Sequence, residues 1–147
     1  MQHHVCPVWV GYVLANPLRK LYHPPHRILL PWVSPGMTVL DVGSAMGFFS
    51  VPLAHLVGET GQVICVDVQQ KMLQRLQKRA ARAGVGEQIL TQQVNHDTLS
   101  LDPDVVDFAL AFAVVHEVPN AQSFLQQVFW ALKPNGSLLL AEPTGHV

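Results

Sequence analysis

The chain has 147 residues, 49% hydrophobic and 13% charged, with a net charge of −1 at neutral pH. That balance suits a globular domain with one core; it excludes disorder and gives no electrostatic basis for a nucleic-acid partner. The longest nearly uninterrupted apolar stretch, 108–115, is far short of the ~20 residues a membrane helix needs, so no membrane span is expected.

No basic segment followed by an apolar core and a cleavage site opens the chain, so a cytoplasmic protein is expected. Cys6 and Cys65 are too few for a disulfide framework and are expected to be reduced. Residues 1–36 are crowded with histidine, proline and aromatic side chains, and no low-complexity linker divides them from the rest of the chain. They read as an N-terminal cap on a single domain, 1–147, whose core is 37–147. Short helices are expected over 8–14 and 26–32, with Pro25 suited to a first-turn position. His3, His4, Cys6, His23 and His26 invite a metal-site reading, but their spacing matches no paired-ligand pattern of structural zinc, and no metal is expected. Trp9, Tyr12 and Tyr22 either line a substrate mouth or pack the cap onto the sheet.

The chain is organised around 37–50. An apolar strand (Val39, Leu40, Val42) runs into a turn of small residues at Gly43, Ser44, Ala45 and Gly47, and 48–56 then reads as a helix. Glycine suits such a turn, where φ becomes positive and a bound cofactor lies against main chain. The N–H groups opening the helix favour anionic groups in the same space. This turn is the expected cofactor seat.

Gly58 and Gly61 end that helix, and 62–67 is a mostly apolar strand suited to burial on both faces, ending in Asp67. Asp67 lies beyond Gly43 at close to the ~20 residues at which nucleotide-binding folds place an acid on ribose hydroxyls. The alternative is an acid serving the next helix. That helix, 70–83, is expected to bury Met72, Leu73, Leu76 and Ala80. It carries five of the nine basic residues, Lys71, Arg75, Lys78, Arg79 and Arg82, which read as a solvated face.

A third strand, 89–94, leads to Asn95-His96-Asp97, and 105–114 reads as the most buried strand, ending at His116-Glu117. A helix over 121–132 is expected to bury Phe124, Leu125, Val128, Phe129 and Leu132. Pro134-Asn135-Gly136 makes a turn into a last strand, 137–141. Strand and helix thus alternate four times and end on a fifth strand. This implies a doubly wound parallel sheet whose ligands gather at the carboxyl ends of the strands. Gly43, Asp67, Asp97 and His116 all lie just past strand ends and should face one crevice.

In this ordered set, 37–143 resembles the class I S-adenosylmethionine-dependent methyltransferases, particularly the branch that includes the quinone-methylating enzymes. Asp41-Val42-Gly43-Ser44-Ala45-Met46-Gly47 resembles the first motif of that family, Asp67 its acid after the second strand, and Asn95-His96-Asp97 its adenine-contacting acid. Leu132-Lys133-Pro134-Asn135-Gly136 and the strand to Pro143 resemble its last turn and fifth strand.

The resemblance implies a Rossmann-like α/β fold with strand order 3-2-1-4-5 and S-adenosylmethionine as cofactor. The methyl acceptor would be a small molecule, with the aromatic cap leaning towards a hydrophobic one. Asp41, Gly43 and Gly47 would hold the methionine part, Asp67 the ribose, and Asp97 the adenine amino group, flanked by His96 or Thr98; Ser44, Ala45 and Val68 would also bind the cofactor. His116 or Glu117 would stand near the transferring methyl, with His116 the better base because imidazole titrates near neutrality. Alternatively both are exposed loop residues.

Two features depart from the family. Ala45 replaces its middle glycine, and the helix and antiparallel strand pair beyond its fifth strand are absent from these 147 residues. The chain is therefore expected to be a fragment, to pair with another chain at the fifth-strand edge, or to be marginally stable. A non-catalytic cofactor-binding subunit is the alternative function. A nicotinamide-dependent oxidoreductase fits less well, since the last small position comes one residue early for a dinucleotide fingerprint.

Overall fold

The computed structural model describes residues 25–44, 47–95, 97–112 and 118–141. Five strands, β1 (Thr38–Val42), β2 (Gln62–Asp67), β3 (Ile89–Gln93), β4 (Val106–Phe112) and β5 (Leu132–Ala141), form one sheet in the order 3-2-1-4-5. All four pairings are parallel. Helix α1 (Pro25–Leu29) precedes the sheet; α2 (Ser50–Val57), α3 (Gln70–Arg82) and α4 (Ala121–Ala131) connect β1 to β2, β2 to β3 and β4 to β5.

Right-handed crossovers explain the layering. The steps β1 to β2 to β3 run one way from the centre and β4 to β5 the other, so α2 and α3 cover one face and α4 the opposite one. Side chains alternate accordingly. Val39, Val63, Cys65, Phe108 and Leu110 pack with α1, α2 and α3 through Leu29, Leu53, Val57, Leu73 and Leu76. Leu40, Val42, Val66, Ala109 and Ala111 pack on the other side with Phe124 and Val128 of α4.

Helix α2 buries Ser50, Leu53, Ala54 and Val57, one stripe at i, i+3, i+4 and i+7. Pro52 is tolerated in its first turn, where an N–H has no helical partner. At the far end, Gly61 lets the chain turn back tightly into β2: a Cβ there would stand 2.6 Å from the carbonyl oxygen of Val57 and 2.8 Å from that of Met37. Helix α3 buries Met72, Leu73, Leu76 and Ala80, as its periodicity predicts.

Several expectations need correction. The helix expected over 26–32 is the shorter α1, and Phe48 and Phe49 lie in the turn before α2. The fourth alternation fails: among the described residues, the β3 to β4 connection carries no helix. Leu99 from this connection, 5% exposed, packs into the α4-side core instead.

Phe129 is 58% exposed. It lies about 140° around the helix from Phe124, off the stripe formed by Phe124, Val128 and Ala131.

The turn at 134–136 sits within β5, not before it. Leu132 pairs with Val106 and Ser137 with Phe108, so 133–136 bulge out opposite Asp107 alone. The helix expected over 8–14 and the strand end at 113–114 lie outside the described residues.

Candidate functional site

The order 3-2-1-4-5 puts the topological switch point between β1 and β4, at the carboxyl ends of the strands. Gly43 and Gly47 take positive φ values of 67° and 90°, as the sharp turn after β1 requires. At Gly47 a Cβ would stand 2.4 Å from Cδ1 of the buried Leu76, so this glycine also allows α3 to pack close. The turn is pinned to β2: the N–H groups of Gly43 and Ser44 both donate to the Val66 carbonyl, at 2.9 and 3.1 Å.

The Gly47 N–H donates to the Ser44 carbonyl and the Val51 N–H to that of Gly47. These amides, expected to face an anion, are thus engaged within the turn, and Pro52 has none. Ala45, where the family motif has glycine, lies outside the described residues.

Asp41, in β1 opposite Cys65 of β2, is only 3% exposed. Ser50 Oγ donates to its Oδ2 at 2.5 Å. Burial pushes the Asp41 carboxyl up to about 7; the Ser50 hydrogen bond opposes this and the charge of Asp67 adds to it. Burial also pushes the Cys65 thiol up, with the Asp41 charge adding. Cys65 is therefore an inert, free, buried thiol. Ser44, 4% exposed, has a hydroxyl with no hydrogen-bond partner among the described residues. The spot thus combines two acids and an unsatisfied buried hydroxyl.

Asp67, half-buried at the end of β2, accepts from the Gln69 N–H at 2.9 Å through Oδ1. Gln69 is the N-cap residue of α3, so one carboxylate oxygen serves the entry to that helix, in line with the helix-serving alternative. Val68 offers its carbonyl to Gln93 Nε2 at 3.1 Å.

Past β3, Asn95 Oδ1 accepts from the N–H groups of Asp97 and Thr98 at 2.9 and 2.7 Å; this turn leaves both residues exposed. His96, His116 and Glu117 lie outside the described residues, as do His3, His4, Cys6 and His23. Among the described residues, no group of three or more His, Cys, Asp or Glu side chains could hold a metal ion. No helix among them is long and apolar enough to cross a membrane.

Three features escape sequence reasoning. Ser50 carries a visible signal, a hydroxyl on the otherwise apolar stripe of α2. Phe49 meets Phe112, the last residue of β4, at a ring separation of 4.6 Å, and both pack with the α2-side core. Gln127 of α4 grips the loop at 97–99 and has no sequence signal.

A family model for the methyltransferase domain matches residues 33–146. The chain belongs to the methyltransferase-domain family. It is 28% identical over 117 residues to the ubiquinone/menaquinone biosynthesis C-methyltransferase UbiE of Shewanella frigidimarina, covering 80% of this chain and 47% of that protein. The enzyme of the same name from Haemophilus ducreyi is 31% identical over 110 residues, 75% of this chain and 42% of that one.

The match to this methyltransferase domain therefore spans just under half the length of these relatives. A crystal structure of an S-adenosylmethionine-dependent methyltransferase from Aquifex aeolicus superposes with a TM-score of 0.86 at 27% identity, over 92% of this chain and 72% of that one. The methyltransferase domain is thus Rossmann-like and of class I, similar to the quinone C-methyltransferases. Nothing in these likenesses favours the non-catalytic alternative.

Proposed function

We propose that the chain transfers a methyl group from S-adenosylmethionine to a small, hydrophobic, quinone-type acceptor. The observation that carries this reading is the cluster of Asp41, Ser44 and Asp67 at the carboxyl edge of the sheet, in a chain of the methyltransferase-domain family. The cluster fits the cofactor chemically. The Asp67 carboxylate, joined by Asp41 once it ionises, favours its positive charge, and a buried serine hydroxyl needs a partner that a polar ligand atom supplies.

When bound, the cofactor supplies an activated methyl on a sulfonium. Asp41, Gly43 and Gly47 would hold its methionine part and Asp67 its ribose, with Ser44, Ala45 and Val68 also at the cofactor, and Asp97 would accept from the adenine amino group with His96 or Thr98 at the ring. The likeness to the ubiquinone/menaquinone C-methyltransferases supports an apolar acceptor. Catalysis is mainly positioning. A carbon acceptor that gains this methyl would have to lose a proton. His116, the better base, or Glu117 would take that proton.

In this reading 1–36 caps a single domain, the protein is cytoplasmic, and no nucleic acid is bound. The β5 edge is where a further segment or a second chain pairs. The test is transfer of a labelled methyl to a demethylated quinone: wild-type chain should label the acceptor and His116→Ala should lower kcat at least about tenfold. Absence of label from a chain that binds S-adenosylhomocysteine would overturn the catalytic reading.

A further inference from the structure

The loop after β3 must hold its shape without a crossover helix, and side-chain amides take over that task. Gln127, half-buried on α4, accepts from the Leu99 N–H through Oε1 at 2.7 Å and donates from Nε2 to the Asp97 carbonyl at 2.8 Å. Its Nε2 also reaches Ser123 Oγ at 3.5 Å. One amide thus satisfies a donor and an acceptor two residues apart on the same loop. From the other side, Gln92 of β3 donates to the carbonyls of Leu99 and Ser100, both at 3.2 Å. Ser100 has a φ of 50°, unusual for a residue with a side chain, and Leu99 is anchored in the core at 5% exposure. The backbone of 97–100 is therefore fixed by hydrogen bonds from two different elements, while the Asp97 side chain stays exposed.

We propose that Gln127 is a positioning residue for recognition of the cofactor base: its two-point grip on 97–99 sets the direction of the Asp97 carboxylate. The inference rests on the proposed function, in which Asp97 accepts from the adenine amino group. Gln127 touches no ligand and acts through the loop. Without it the loop keeps its Asn95 turn and its Leu99 anchor, so the fold persists while the carboxylate loses its aim.

The test uses S-adenosylhomocysteine and its deaminated analogue S-inosylhomocysteine, titrated calorimetrically into the whole chain. Deamination replaces an amino donor with a carbonyl acceptor facing a carboxylate. Wild-type chain should prefer the adenine form by at least about tenfold, ~1.4 kcal/mol. Asp97→Ala should reduce the preference to within about threefold. Gln127→Ala and the same-length Gln127→Met should do likewise with little change in affinity for the deaminated form, and the exposed Gln126→Ala should behave as wild type.

A Gln127 variant that keeps the wild-type preference, or weakens both ligands equally, overturns the proposal while leaving the Asp97 reading intact. Preservation of the preference in Asp97→Ala overturns both. Failure of the wild-type chain to bind either ligand overturns the cofactor reading beneath them.

Discussion

At the scale of single residues, Asp41 shows how a strand position becomes a polar centre. A carboxylate between two sheet strands and a helix is costly to ionise, and the neighbouring Asp67 adds to the cost. With a folded pKa of about 7 against an unfolded value of 3.8, Asp41 holds its proton in the native state where the unfolded chain has released it. The unfolded state therefore binds fewer protons between those values, and stability falls as pH rises through that window.

Asp41→Asn keeps an acceptor for Ser50 but removes the titration. Urea unfolding at pH 5 and pH 8 should show the wild type losing on the order of 2–3 kcal/mol across that range and the variant losing clearly less. An equal loss in both would mean that Asp41 is ionised in the folded protein. Asp41 itself was legible from its place after an apolar pair and before Gly43. Its partner Ser50 was readable only as a hydroxyl on an apolar helical stripe, a signal that serine at a helix start also gives for capping.

At the scale of elements, β5 tests how a sheet edge accommodates a tight turn. The four residues 133–136 bulge opposite Asp107, which accepts from the Thr38 N–H at 2.9 Å and from Lys133 Nζ at 3.0 Å. One carboxylate thus ties β4 to both neighbouring strands, β1 and β5. Partial burial raises the Asp107 pKa, but the bond from Thr38 and the Lys133 charge outweigh it and hold the carboxyl below its usual value. The stabilisation is therefore present above the unfolded pKa and fades as pH falls through the lower folded one.

Asp107→Ala should cost about 1–2 kcal/mol in urea unfolding at pH 7, and less at pH 3. A cost independent of pH would assign the effect to packing. The sequence marks Pro134-Asn135-Gly136 as a turn because of its residue types, but nothing in it reveals that pairing begins at Leu132, before the turn. Likewise the missing crossover helix left no trace: 95–105 has neither period, and only the core shows that Leu99 takes the place a helix would fill.

At the scale of the whole molecule, the sheet was legible because β1, β2 and β4 are short and largely apolar, with Gly43 closing β1 and Asp67 closing β2. Those closing residues also lie at one edge of the sheet, so fold and candidate site were read from the same positions. The loop geometry was not, because Gln127 and Gln92 act through main-chain partners with no sequence spacing of their own.

The outer side of the molecule, at β5 and α4, remains apolar: Leu140, Phe129 and Trp130 are 44%, 58% and 63% exposed. On the proposed reading, a further segment or a second chain would pair at the β5 edge beside this face.

The central claim is that the carboxyl edge of β1 and β2 is a seat for S-adenosylmethionine. Calorimetric titration with S-adenosylhomocysteine tests it most directly. The account predicts micromolar binding to the wild-type chain and a loss of at least about tenfold, ~1.4 kcal/mol, in Asp67→Ala. No binding by a folded chain, or equal binding by the variant, would contradict it.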